Sequence, residues 1–278
     1  MRGLMYKSAD RVLTVLVLLV LFAGVLLSGR AWGAERMPAL DESQASWVAD
    51  QIFQNECNRQ LSCLTSWNVG EDFPSLGIGH FIWYRQDQKE RFVESFPDLL
   101  GYYVARGVDL PDWIAGLPGW AAPWSDRETF LADIDSPRMQ ALRIFLNDTR
   151  GIQAEFIVRR LARSLPALMA ASEQSDAVAE EFYRVANSEA PHGMYALIDY
   201  VNFKGEGTAL SERYQGHGWG LLQVLETILA TPDGGTVLEQ FAAAARQVLA
   251  RRIENAPVER GEERWRRGWN NRTLTYVP

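Results

Sequence analysis

The stretch from Leu40 to Tyr84 constrains the fold more than any other. In LDESQASWVADQIFQNEC (40 to 57), Ala45, Val48, Ile52 and Glu56 recur at spacings of three and four. One helix therefore carries all four on a single stripe, and such a stripe points inward. Asp41 or Ser43 is placed to cap its start. A glutamate that closes an apolar stripe has two readings: it faces a cleft, or it reaches sideways to water or an arginine. The turn that follows holds Asn68, Gly70, Glu71, Asp72 and Pro74, and SLGIGHFIWY (75 to 84) then reads as a strand, one arm of a small hairpin or sheet. Gly77 and Gly79 share a face of that strand with Ser75 and Phe81, which strips its middle of side chains. Glycines placed this way mark the approach of a ligand, a bulge, or tight packing against a helix.

Cys57 and Cys63 are the only cysteines. In one continuous helix, six residues apart, they would lie ~9 Å apart along the axis and face different sides. A bridge between them requires the helix to end first. SCLTSW lacks a helical stripe and is consistent with that; two unpaired buried thiols are the other reading.

Ahead of this stretch, Arg2, Lys7 and Arg11 precede the almost wholly apolar VLTVLVLLVLFAGVLL (12 to 27) and the small residues Ala31 and Gly33. This is the pattern of a secretory signal peptide over residues 1–33, with an uncleaved membrane anchor as the alternative. The run falls short of the ~20 residues that a spanning helix needs, which favours cleavage. Either way the rest is expected to be exported, to the periplasm or cell envelope, where the two cysteines could pair. Removing residues 1–33 takes away Arg2, Lys7, Arg11 and Arg30 against Asp10 alone, so the formal net charge moves from −7 to −10. An acidic surface argues against nucleic acid as a partner and against a freely diffusing enzyme drawn to anionic cell walls.

Downstream, apolar residues at helical spacing predict helices over 97–107, 136–148, 151–171, 175–188 and 236–255. Ser136 followed by Pro137 marks one of the starts. Residues 107–127, with Trp113, Trp120 and Trp124, read as a loop. The fold class is α+β, mainly α, with one small β element near the front.

Two stretches carry a resemblance. GEDFPSLGIGHF resembles the hairpin of the phage-type lysozymes, in which a strand of the form T/S-x-G-x-G-H follows a catalytic glutamate at the end of the first helix. ALIDYVNFKGEGTALSERYQGHGWGLLQVLE (196 to 226) resembles their central helix, its Gly-Glu turn and the helix after it. The two occur in the family's order and cover roughly a fifth of the chain. The resemblance implies one lysozyme-like domain over 34–278, with a helical insertion at about 85–195 and a cleft that cuts β-linked sugars of peptidoglycan. It makes Glu56 the catalytic acid and Ser75 the residue that positions water. Glu71 and Asp72 are the candidates for a second carboxylate, although neither falls at the family's aspartate position. Gly77, Gly79, His80, Trp83, Glu206, Tyr214, Gln215, Trp219 and Gln223 are the candidate substrate-binding residues.

Glycosidic cleavage divides labour between a carboxyl that keeps its proton and one that stays ionised beside an oxocarbenium-like transition state. A carboxyl on an apolar stripe is expected to keep its proton through desolvation; one in a polar turn is not. If the second carboxylate is misplaced, a lytic transglycosylase, which works with a single acid/base glutamate, becomes the better reading. A glutamate ahead of a G-L-x-Q stretch, here Glu206 ahead of Gly220 to Gln223, also has a faint look of that class; the alternative for Glu206 is a capping role in a tight turn. A non-catalytic glycan-binding scaffold held by an envelope protein, and a chitosanase-like enzyme, are the rival functions. Trp67, Trp83 and Trp219 are the aromatics best placed to stack on sugars. His80, His192 and His217 are too scattered for a metal site with two cysteines at this spacing, and His80 reads as a structural hydrogen-bonding residue. No G-x-S-x-G elbow, Walker loop or H-E-x-x-H occurs, and no cofactor is expected. The arginine- and tryptophan-rich tail (258 to 276) either folds over the cleft, with Arg272 or a neighbour pairing Glu56, or pairs locally as a solvated end.

Overall fold

The first helix, α1 (Glu42–Cys57), starts at a reciprocal cap. The Asp41 carboxylate accepts from the Gln44 backbone N–H at 2.8 Å, and the Gln44 side chain accepts from the Asp41 N–H at 3.1 Å. It buries Ala45, Val48, Ala49, Ile52 and Phe53. Two consecutive left-handed residues, Asn58 (φ 47°) and Arg59 (φ 58°), then turn the chain back on itself. Cys63 thereby returns to within 5.4 Å of Cys57, Cα to Cα, and the two form a disulfide. The helix does end between the cysteines, as a bridge requires.

This computed structural model describes residues 37–278 apart from 91, 211, 232 and 233. The signal-peptide reading lies outside the described residues. Among the described residues no helix is long and apolar enough to cross a membrane.

A three-stranded antiparallel sheet follows α1: β1 (Thr65–Ser66), β2 (Ser75–Leu76) and β3 (Phe81–Ile82), in that order, with Ser75 opposite both Ser66 and Ile82. The stretch expected as one strand is thus a hairpin whose loop is Gly77 to His80. Gly77 (φ 70°) and His80 (φ 45°) both take left-handed backbone there. The helices α2 (Phe96–Ala105), α3 (Asp112–Ala115), α4 (Arg127–Asp133), α5 (Pro137–Asp148), α6 (Arg150–Ala170) and α7 (Ser175–Ala186) come next. Then follow α8 (His192–Lys204), a two-stranded hairpin of β4 (Arg213–Tyr214) and β5 (His217–Gly218), α9 (Leu221–Ala230), α10 (Val237–Asn255) and α11 (Arg266–Leu274). The molecule is mainly helical with small antiparallel sheets, an α+β arrangement.

Three further helix starts carry side-chain caps, at Asp126, Ser136 and Thr236. Residues 107–127, expected as loop, contain α3 and a short 3₁₀ turn at Pro118–Trp120. α6 is the principal packing partner of α1. The segment expected as an insertion therefore supplies a central wall of the core. α8 runs through the middle, with every residue from Gly193 to Tyr200 buried, and packs against α1, α6, α7, α9 and α10.

Candidate functional site

Glu56 lies one residue before the end of α1, and its side chain is 19% exposed. One carboxylate oxygen accepts a hydrogen bond from Arg272 of α11; the other is 3.7 Å from His80 Nε2 in the hairpin loop. Three segments far apart in sequence thus converge on one carboxylate. The surroundings of its oxygens are a guanidinium and an imidazole, which corrects the apolar setting expected from the stripe.

Behind this contact lies a network that sequence reasoning missed. Asp199 of α8 has no exposed surface. Arg272 donates to it twice at 2.8 Å, Tyr276 Oη donates at 2.8 Å, and Asn55 Nδ2 donates at 3.0 Å. Asn55 also donates to Tyr195 Oη at 2.8 Å, and Tyr195 is 2.7 Å from the Thr275 hydroxyl. A buried carboxylate is tolerable only with its lone pairs met this fully. Burial opposes the charge on Arg272, but its bonds to Asp199 and the nearby Glu56 outweigh that and raise its pKa above the ordinary value. Burial, then the Asp199 charge, raises the Tyr195 phenol to about 12. A lone acid inside the apolar run ALIDYV was the available signal for Asp199.

One contact from each reading of the tail is present. Arg272 folds onto Glu56, while Arg266 pairs locally with Glu263 at 2.7 Å.

The other candidates divide. Glu71 is tied to its own turn, accepting from Asn68 Nδ2 at 3.1 Å, with Trp67 Nε1 donating to its carbonyl at 2.7 Å. Asp72 is exposed, and its carbonyl accepts from Gln88. No contact joins either carboxylate to Glu56 among the described residues. Ser75 is buried, and its carbonyl accepts from the Ser66 hydroxyl at 3.3 Å. The glycines serve packing: a Cβ on Gly77 would strike Gln153 Oε1 of α6, and one on Gly79 would meet the Phe81 ring at 2.6 Å. Gln153, fully buried, accepts from the Ile78 N–H at 2.9 Å and donates to the Leu146 carbonyl at 2.6 Å. It ties the hairpin loop to the helices.

The three tryptophans expected to stack on sugars are all buried. Trp83 has no exposed surface; it packs against Phe96 and Trp124 and donates to the Trp120 carbonyl at 2.6 Å. Trp219 lies against Tyr214, with the Arg252 guanidinium 4.2 Å from its ring centre. Gln223 is spent on backbone, accepting from the Gly220 N–H at 3.0 Å and donating to the Gly207 carbonyl at 3.1 Å. Tyr214 donates to Glu262 at 3.0 Å, and Gln215 is exposed at the hairpin tip with φ 50°. Glu206 is half-buried; burial raises its carboxyl, while Arg160 and the Ser164 hydroxyl pull it back.

His80 does approach both cysteines, its ring nitrogen and the two sulfurs lying within 4.8 Å of one another. The disulfide takes the thiolates that a metal ion would need.

No model of a known family, no curated protein and no solved structure matches the chain.

Proposed function

We propose that this protein is an exported enzyme that cleaves the glycan strands of peptidoglycan through Glu56 as its single acid/base group. The observation that carries the reading is the position of that carboxylate, half-buried where the end of α1, the hairpin loop and α11 meet. The likeness of GEDFPSLGIGHF and residues 196–226 to the phage-type lysozymes supplies the substrate class. The Glu71 carboxylate is held at its own turn by Asn68, Asp72 is exposed, and neither has a contact with Glu56 among the described residues. That favours the lytic transglycosylase form over the two-carboxylate muramidase. In that form Glu56 gives its proton to the leaving glycosidic oxygen and then takes one from the sugar's own C6 hydroxyl, whose oxygen closes on C1; no water is consumed. Arg272 keeps its two bonds to Asp199 when Glu56 turns toward substrate, so no buried charge is stranded.

A second reading is a glycan-binding scaffold that keeps the fold without cleavage. It is favoured by the same Arg272 contact, which makes Glu56 a member of a structural network around Asp199.

Incubating the protein, beside Glu56→Gln, with purified peptidoglycan and identifying released fragments by mass spectrometry separates these readings. Anhydro-muramyl ends from the wild type alone support the transglycosylase, and reducing ends support a muramidase. Binding to the glycan without release in either form would replace the enzyme with the scaffold.

A further inference from the structure

Lysine is scarce in this chain: Lys7, Lys89 and Lys204 stand against 25 arginines. Guanidinium groups keep their charge across the range in which proteins work, whereas an amine can lose its proton and become a nucleophile. The basic groups packed between α8, α10 and α11 include Arg246, Arg252, Arg272 and, as an amine, Lys204.

Lys204 is the last residue of α8, half-buried between two aromatic faces. Its Nζ lies 3.6 Å from the Trp269 ring centre and 3.9 Å from that of Phe203. Beyond Phe203 sits the Arg272 guanidinium, 4.3 Å from that ring centre; on Trp269 lies Arg252, at 5.2 Å. The carboxylates that could neutralise an ammonium are engaged elsewhere. Glu262, in the turn between α10 and α11, is held by two bonds from Arg252 at 2.8 and 2.9 Å, and Asp199 and Glu56 are held by Arg272. No ion pair reaches Lys204 among the described residues. The ring faces attract an ammonium, but partial burial, two fixed positive charges nearby and the lack of an ion-pair partner oppose it, and together they set the amine up to stay neutral and nucleophilic.

We propose that Lys204 is a reactive amine site that captures small aldehydes as an imine. The nitrogen lone pair adds to the carbonyl carbon, and the carbinolamine loses its oxygen as water while the C=N bond forms; no oxidant or reductant takes part. An uncharged carbonyl suits the setting. A cationic ligand is repelled by Arg252 and Arg272, and an anionic one must displace Glu262 or Asp199 from them. The protonated imine keeps the two ring faces that the amine already has, so capture gives up neither contact. Burial, then the Arg252 charge, pushes the amine down to about 7; Glu262 acts in the opposite sense, and Arg272 adds a smaller push. The site stands independently of the role given to Glu56.

Lys89, exposed on the surface, is the internal control. The folded protein is treated with glycolaldehyde and cyanoborohydride at pH 7, and modification of the two lysines is followed by peptide mass spectrometry. Lys204 is expected to react about tenfold faster than Lys89 or more, because little of an ordinary lysine is unprotonated at that pH. The advantage should disappear in urea and shrink toward pH 11. In Trp269→Leu, with the box opened, it should fall. A Lys204 rate at or below that of Lys89 in the folded wild type at pH 7 overturns the proposal.

Discussion

Arg272 and Asp199 meet through two hydrogen bonds of 2.8 Å across 73 residues of sequence, and the same guanidinium holds Glu56. One side chain therefore fixes a fully buried charge and the candidate catalytic carboxylate together. Replacing it with Met leaves the buried Asp199 carboxyl with only Tyr276 and Asn55 as donors. Removing one partner of a buried pair costs about 3–5 kcal/mol. Arg272→Met is expected to lose that much in urea unfolding, and a loss below about 1 kcal/mol would contradict the network described here.

Gln153 joins the hairpin loop to α6. Gln153→Leu keeps the volume and orphans the Ile78 N–H, which has Gln153 Oε1 as its acceptor. A buried donor left unmet costs about 1–3 kcal/mol. The expected result is a loss of that size, with amide hydrogen exchange at Ile78 accelerated more than in the middle of α8. Unchanged protection at Ile78 would show that the loop holds without this bond.

The Cys57–Cys63 bridge closes a short loop, so its constraint on the unfolded chain is modest, about 2 kcal/mol by chain entropy. The double Cys→Ser variant should fold and show a loss near that figure. Because Glu56 adjoins Cys57, any glycan-cleaving activity should fall by a larger factor than stability alone explains. Equal activity in the fully folded variant would mean the bridge does not position Glu56.

Lys204 also gives stability a pH dependence. Its folded pKa, about 7, lies below the ordinary 10.5, so between those values the unfolded chain binds the extra proton. Stability attributable to this residue therefore rises with pH from about 7 to 10.5, and below 7 the penalty is fully present. Lys204→Met should raise the urea midpoint at pH 6 by more than at pH 10. An equal gain at both would remove the titration from the account.

Much of this architecture was legible because its signals are local. Asp41, Ser136 and Thr236 cap helices whose apolar spacing is plain, and SCLTSW, lacking a helical stripe, is consistent with the helix ending before Cys63. The hairpin was misread as one strand because SLGIGHFIWY has strand composition throughout; the left-handed backbone at Gly77 and His80 is what divides it. The tryptophans were misassigned for a related reason. Trp83 and Trp219 neighbour suggestive motifs, yet whether an aromatic face meets a sugar or another side chain depends on chain tens of residues away, such as Trp124 and Arg252. Asp199 shows the same limit. Its partners, Arg272 and Tyr276, lie more than seventy residues downstream, and no period in the sequence points to them.

That separation sets an order of events. Until residues 272 to 276 have been made, the acid at the centre of α8 has neither its cation nor its phenol. While α9 and α10 are still being added, α8 can pack only with that carboxyl served by Asn55 alone. Tight packing around α8 therefore waits for α11 and the residues just after it, and the centre of the core is completed by a segment remote from it in sequence.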